Sequence, residues 1–184
     1  FVESSAGELS GFNDTLYKES GGEIVSQSNI NIWGEADIVF CVQIPSEANL
    51  EKLKKGVLLM GLLNPYSNEK LQKTIIRKKI SALSMELLPR ISRAQSSDVL
   101  SSQANIAGYK AVLLAASELD RYFPMLMTAA GTVQPAKVVV LGGGVAGLQA
   151  VATAKRLGAI VFVSDIRPVV KEQVESLGAR FIEL

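Results

Sequence analysis

The sequence predicts an α/β protein: two parallel-sheet lobes of Rossmann type joined by a long helix, the second lobe stopping short at its C-terminus. Three patterns carry this expectation. Residues 1–87 alternate short apolar runs with short amphipathic ones, as in strand–helix–strand units that pair in parallel through right-handed crossovers. From Asp98 to Phe123 the pattern stays helical for about seven turns at 3.6 residues each. Beyond Lys137 a second strand–helix series begins. The expected divisions are therefore 1–98 for an N-terminal lobe, 99–123 for a connecting helix and 124–184 for an incomplete second lobe.

The elements follow in order. FVE, at the start, reads as the tail of a strand. NDTLYKES begins with a good helix cap, Asn13 or Asp14, and ends at Gly21-Gly22. EIV is a short strand, and ADIVFCVQIP is expected to be a buried strand stopped by Pro45. Ser46 caps the helix EANLEKLKK, and Gly56 terminates it. VLLMGLL is a second buried strand, SNEKLQKTIIRKK an amphipathic helix and ISALSME a third strand. LLPRISRAQSSD, residues 87–98, is polar with a proline and reads as a loop.

In the long helix Val99, Ile106 and Leu113 recur at a spacing of seven, and Pro124 is expected to end it. Gly108 in its interior costs roughly 1 kcal/mol relative to alanine, which implies close packing there. KVVVLG is then a strand, GVAGLQAVATAKRLG a helix and AIVFVSD a strand. RPVVKEQVESLG is a helix with proline near its start, and ARFIEL opens a third strand, giving βαβαβ.

Composition narrows the function. The 184 residues are 48% hydrophobic and 20% charged, which suits a packed core rather than disorder. Nineteen basic residues against 18 acidic ones leave a net charge of +1, so nothing calls for nucleic acid or an anionic membrane. Lys54-Lys55 and Arg77-Lys78-Lys79 read as solvated helix faces. The single cysteine, Cys41, excludes an internal disulfide and is expected as a small buried thiol. With one thiol and no histidine, no metal site is expected. Residues 138–154 carry no charge, but glycines interrupt them and a membrane span needs roughly 20 apolar residues. The N-terminus is neither a signal nor a transit peptide and lacks an initiator methionine, so the chain is expected to be a fragment.

Gly142-x-Gly144-x-x-Gly147 follows a strand and opens a helix. The first glycine permits the tight turn, the second lets a pyrophosphate approach the backbone, and the third lets the helix pack close to the strand. The helix N-terminus offers free N–H groups and the positive dipole end to phosphates. Asp165 falls at the end of the next strand, 18 residues after Gly147, where a carboxylate accepts from adenosine ribose hydroxyls and repels a 2′-phosphate. This favours NAD(H). Arg167 could instead pair with the 2′-phosphate of NADP(H), stack on adenine or lie in solvent.

ELLPRISRAQSSDVLSSQANIAGYKAVLLAA, FPMLMTAAGTVQPAKVVVLGGGVAGLQAVATAKRLGA and SDIRPVVKEQVESLGA together resemble the NAD(H)-binding domain of the proton-translocating nicotinamide nucleotide transhydrogenases. The resemblance covers nearly the whole chain and is densest from Glu86 to Ala179. Alanine dehydrogenase is a relative of the same fold. In the transhydrogenases an arginine, a glutamine and an aspartate on one loop hold the nicotinamide end, and the matching residues are Arg90, Gln95 and Asp98. Gln95 suits a ribose hydroxyl or the carboxamide, and Arg90 with Asp98 suits a charge-assisted pair fixing the loop. Alternatively the loop is an ordinary polar connection whose Asp98 caps the long helix. Ser96 and Ser97 on that loop, Val145 and Ala146 at the helix start and Ile166 beside Asp165 complete the cofactor-binding candidates. The family often has valine or alanine where this chain has Gly143, which leaves the three fingerprint positions intact.

Oxidising an alcohol or amine requires a residue to take a proton, usually histidine or lysine. Alanine dehydrogenase uses one of each in its first lobe. Aligned by strands, Asn64 stands here for that histidine and Gln43 for that lysine, and neither accepts a proton near neutral pH. Hydride transfer between two nicotinamides releases no substrate proton, so orientation of two rings suffices. The chain holds one glycine fingerprint, so NADP(H) is expected on a separate domain. The resemblance further implies a membrane proton-channel domain as partner, a homodimer, no nucleic acid, and a soluble domain at the matrix or cytoplasmic face of an inner membrane. The alternatives are an amino-acid dehydrogenase of the alanine dehydrogenase type and a non-catalytic NAD-binding module.

Overall fold

The computed structural model describes residues 1–26 and 31–183. They form two compact units, Phe1–Ser97 and Asp98–Leu184.

In the first unit β1 (Val2–Glu3) pairs in parallel with β2 (Ile24–Val25), with α1 (Asp14–Glu19) between them in sequence. The cap of α1 is Asn13, which accepts from the Leu16 N–H. Asp14 turns back and accepts from the Ser5 amide at 2.7 Å and the Ser4 hydroxyl at 2.8 Å. After α2 (Asn31–Glu35), which the sequence pattern does not announce, come β3 (Ile38–Gln43), α3 (Glu47–Lys52), β4 (Leu58–Leu62), α4 (Glu69–Lys78) and β5 (Ser81–Ser84). The last three strands form one parallel sheet in the order β3–β4–β5, as the alternating pattern predicts. Ser46 and Asn68 cap α3 and α4 with their side chains. Leu53, Leu59, Leu63 and Leu71 are fully buried around β4, each worth about 1.5–3 kcal/mol of transfer free energy.

β3 departs from the buried strand expected of ADIVFCVQIP. Val39 and Cys41 pack against the core, but Phe40 and Val42 are 74% and 78% exposed. β3 lies at an edge of the described sheet, and an apolar run reads the same whether one of its faces is covered or both. Cys41 is accordingly half-buried. Among the basic clusters, Lys54 pairs with Asp37 at 2.7 Å and Arg77 pairs with Glu51 of α3, exposed contacts worth at most about 1 kcal/mol each.

The second unit runs α5 (Val99–Glu118), β6 (Leu126–Thr128), β7 (Gly131–Val133), β8 (Lys137–Leu141), α6 (Val145–Arg156), β9 (Ile160–Ser164), α7 (Lys171–Ser176) and β10 (Arg180–Phe181). β8, β9 and β10 form a parallel sheet in the order β10–β9–β8, the βαβαβ expected from sequence. Val151, Val161, Val163 and Val174 are buried in its core. β6 and β7 make an antiparallel hairpin outside that prediction. Pro168–Val170 forms a 3-10 turn ahead of α7, and Leu184, in the expected last strand, lies outside the described residues.

α5 ends at Glu118 rather than Phe123. Leu119 is extended, with φ −87° and ψ 119°, and Phe123 is drawn into the core, where its carbonyl accepts from the Ala136 N–H at 3.0 Å. Pro124 also disfavours a helical Phe123. α5 packs on α6 where Gly108 faces the Ala146 carbonyl: a Cβ at 108 would lie 2.0 Å from that oxygen. This is the close approach that a glycine inside a long helix implied. Among the described residues no helix is long and apolar enough to cross a membrane.

Candidate functional site

The turn from β8 into α6 is built by its glycines. Gly142 has φ +98°, a left-handed conformation that favours glycine, and its N–H donates to the Ser164 carbonyl at 2.7 Å. Gly147 sits so close beneath the turn that a Cβ there would come within 1.8 Å of the Gly142 carbonyl oxygen. Gly144 is different. Its φ is −80°, which any residue adopts, and a Cβ there would meet nothing within 4 Å. Backbone conformation calls for glycine at 142 and packing for glycine at 147, but neither calls for it at 144.

Gly144 is also the N-cap of α6 and brings no side-chain acceptor to its first turn. α1, α3, α4 and α5 all begin with a side-chain cap, from Asn13, Ser46, Asn68 and Asp98. The start of α6, with Val145 and Ala146 in its first turn, thus combines open space, uncapped N–H groups and the positive end of the helix dipole. That combination suits a phosphate group.

Asp165 follows β9 and closes the turn from the other side. Its Oδ2 accepts from the Gly143 N–H at 2.6 Å and from Arg167 Nη2 at 3.0 Å. Its Oδ1 accepts from the Arg167 backbone N–H at 2.8 Å and from Arg167 Nε at 3.0 Å. The Arg167 side chain, then its backbone N–H and that of Gly143, hold the carboxyl far below the ordinary carboxylate range. Asp165 is therefore an anion at any physiological pH. The Asp165 side chain is 5% exposed and that of Arg167 55%, so the guanidinium lies over the carboxylate from the solvent side. Of the roles open to Arg167 from sequence, the structure comes nearest to a side chain lying in solvent, but one folded back on Asp165. Ile166 is 99% exposed, an apolar side chain standing in solvent beside the carboxylate.

The remaining candidates lie at the end of the first unit and the start of the second. Arg90 is exposed, and Gln95, Ser96 and Ser97 are exposed on a 3-10 segment, Ser92–Ser97. Asp98 caps α5: Oδ1 accepts from the Ser101 N–H at 3.0 Å and Oδ2 from the Ser101 hydroxyl at 2.6 Å. Gln43 ends β3, opposite Leu62 in the register. Asn64 lies just beyond β4 with φ 43°. One residue that no sequence motif marks, Glu86, grips this turn: its carboxylate accepts from the Leu63 N–H at 3.3 Å and from the Asn64 N–H. Burial pushes the Glu86 carboxyl up, but hydrogen bonds from its own N–H and those of Asn64 and Leu63 outweigh it, and the net position is below the ordinary value.

Comparison with known proteins gives a consistent result. Residues 1–107 match the family model described as alanine dehydrogenase/PNT, N-terminal domain, and residues 111–184 match its C-terminal domain counterpart. The chain is 50% identical over 186 residues to an NAD(P) transhydrogenase subunit alpha protein of Rhodospirillum rubrum, covering 98% of this chain and 48% of that protein. It thus spans about half the length of the curated relative it matches. Among solved structures it superposes on the transhydrogenase from Sinorhizobium meliloti with a TM-score of 0.91 at 48% identity, over 99% of this chain and 54% of that one. An L-alanine dehydrogenase gives a TM-score of 0.81 at 29% identity, over 98% of this chain and 51% of that one.

Proposed function

The chain belongs to the alanine dehydrogenase/PNT family, and on that premise we propose that it is the NAD(H)-binding part of a transhydrogenase passing hydride between NADH and NADP. The observation that carries the reading is Gly144: a glycine required neither by backbone conformation nor by packing, at an uncapped helix start beside an anionic Asp165. A pyrophosphate accounts for it. The N–H groups of the α6 first turn hold the phosphates, Asp165 accepts from the adenosine ribose, and the exposed Ile166 covers one face of the adenine.

Bound NADH supplies the hydride. The chain itself contributes placement. Arg90, Gln95 and Asp98, with Ser96 and Ser97, position the nicotinamide end, and Asp98 keeps its segment in register by capping α5. Neither Gln43 nor Asn64 can exchange a proton near neutral pH, which suits a reaction that releases none. The two rings must come within about 3–3.5 Å, so NADP(H) is presented by a separate domain of the same enzyme. A membrane proton channel and a second copy of the NAD(H)-binding domain complete the assembly. Residues 1–98 serve as the first lobe and 124–184 as the nucleotide lobe, with α5 (Val99–Glu118) and the non-helical residues 119–123 between them in sequence, and the whole lies on the matrix or cytoplasmic side of an inner membrane.

The test is a transfer assay on the intact protein with its NADP(H)-binding partner. Reduction of NADP by NADH is expected only when both are present, and pyruvate with ammonia should not be reduced. Gln95→Ala should slow transfer more than it weakens NADH binding. Robust reductive amination of pyruvate without the partner would overturn the proposal.

A further inference from the structure

Resting on the reading of Asp165 as the ribose-binding carboxylate, we propose that Arg167 is a built-in competitor for it, so that the ribose diol of the nucleotide binds by displacing the Arg167 guanidinium. A carboxylate offers about four acceptor positions on its two oxygens. All four donors seated on Asp165 come from the protein. Two are main-chain N–H groups, of Gly143 and Arg167, which belong to the turns themselves. The other two are Nε and Nη2 of Arg167, carried on a side chain that is 55% exposed.

The Nε and Nη2 donors of a guanidinium point side by side, as the two hydroxyls of a vicinal diol do. The diol can therefore replace the guanidinium edge while leaving both main-chain bonds in place. Such an exchange trades two bonds from a cationic donor for two from neutral hydroxyls to the same carboxylate, so Asp165 adds less to nucleotide affinity than an uncontested carboxylate would. The displaced guanidinium stays tethered two residues away, with its charge beside the ribose. There it pairs with a 2′-phosphate if one is present. Arg167 thus lowers the affinity for NAD(H) and softens the rejection of NADP(H) that Asp165 alone would impose.

Arg167→Ala keeps both main-chain donors and removes the competitor. The intact protein and the variant are titrated with NADH and NADPH, and with ADP-ribose and its 2′-phosphate to isolate the adenosine end. Arg167→Ala should tighten NADH and ADP-ribose about threefold or more and weaken both 2′-phosphorylated ligands. Arg167→Lys, which keeps the charge but lacks the fork, should fall between. Should Arg167→Ala fail to fold, Arg167→Gln carries the same comparison with the same sign. Unchanged or weaker NADH and ADP-ribose binding by a folded variant overturns this inference alone. An unaltered protein that binds neither ligand overturns the dinucleotide reading and this inference with it.

Discussion

The two parallel sheets make the same strand-end turn and finish it differently. After β4 the chain turns through Asn64, and the amides of Leu63 and Asn64 point at the Glu86 carboxylate just beyond β5. After β8 it turns through Gly142, and the Gly143 amide points at the Asp165 carboxylate just beyond β9. The spacing is the same, 22 residues from Asn64 to Glu86 and 22 from Gly143 to Asp165. The two part ways in the next few residues. In the first unit Pro65 and Asn68 fill those positions, and Asn68 caps α4 with its own side chain. In the second, Gly144 leaves the start of α6 uncapped. A carboxylate gripping a strand-end turn is thus a structural device common to both units. One copy becomes a candidate nucleotide site through the side chains it lacks.

The largest test of that contrast is Gly147→Ala. Its Cβ would lie 1.8 Å from a backbone oxygen that cannot yield without moving the turn. Such overpacking costs about 1–3 kcal/mol or more, so melting should fall by roughly 5 °C and NADH binding should disappear. A variant that melts with the parent and binds NADH would remove the glycine turn from the site.

Next comes the pair of carboxylates. In the Arg167→Ala background, where the carboxylate is uncontested, Asp165→Ala should weaken NADH binding about tenfold or more and narrow the preference over NADPH. Glu86→Ala should cost about 1–3 kcal/mol of stability through its orphaned amides and leave NADH affinity within about twofold. Calorimetric titration and urea unfolding read the two effects separately. Equal losses of NADH affinity would erase the distinction between the turns.

Acid should treat both carboxylates alike. Each is held below its ordinary value in the folded protein, so each contributes stability above its unfolded value and loses that contribution as pH falls through the folded one. With unfolded values of about 3.9 for Asp and 4.3 for Glu, these contributions should be constant from about pH 5 to 8 and decline below about pH 4. Over that range NADH affinity should show no step from Asp165. Urea unfolding from pH 3 to 7 and NADH titration from pH 5 to 8 check this, and a step in NADH affinity near pH 6 would count against Asp165 as the ribose acceptor.

The smallest effect belongs to Gly143→Ala. Its Cβ would sit 3.0 Å from Val170 Cγ2, a side-chain methyl that can shift, and the Gly143 amide would still reach Asp165. The expected cost is below about 1 kcal/mol, with NADH affinity unchanged within about twofold. A large loss in a thermal melt would show that this position, like Gly147, is closed to a side chain.

Much of this architecture is legible in sequence because apolar runs and glycines mark it directly. The βαβαβ order, the parallel sheets and the tight contact at Gly108 all follow from residue type and spacing. The misses have physical causes. Apolar composition cannot tell whether both faces of Ile38–Gln43 are covered. The helical period from Asp98 continues past Glu118, and only the burial of Phe123 reveals why the helix stops earlier. The β6–β7 hairpin has a signal in Gly131 between two short alternating runs. Glu86 carries no motif of its own, and its one signal is the 22-residue spacing shared with Asp165. The Arg167–Asp165 pair joins residues two apart across a turn, where residue types alone leave the direction of a long side chain open.

Cys41 carries a consequence for the bench. Its Sγ lies 3.4 Å from the Met60 carbonyl, Gly61 packs against it, and burial pushes its thiol up. Alkylating reagents attack the thiolate, so the one sulfhydryl of the chain is a slow target at neutral pH. A cysteine introduced at an exposed position such as Gln95 is then the preferred target for a maleimide dye or spin label, with no need to engineer the native cysteine away.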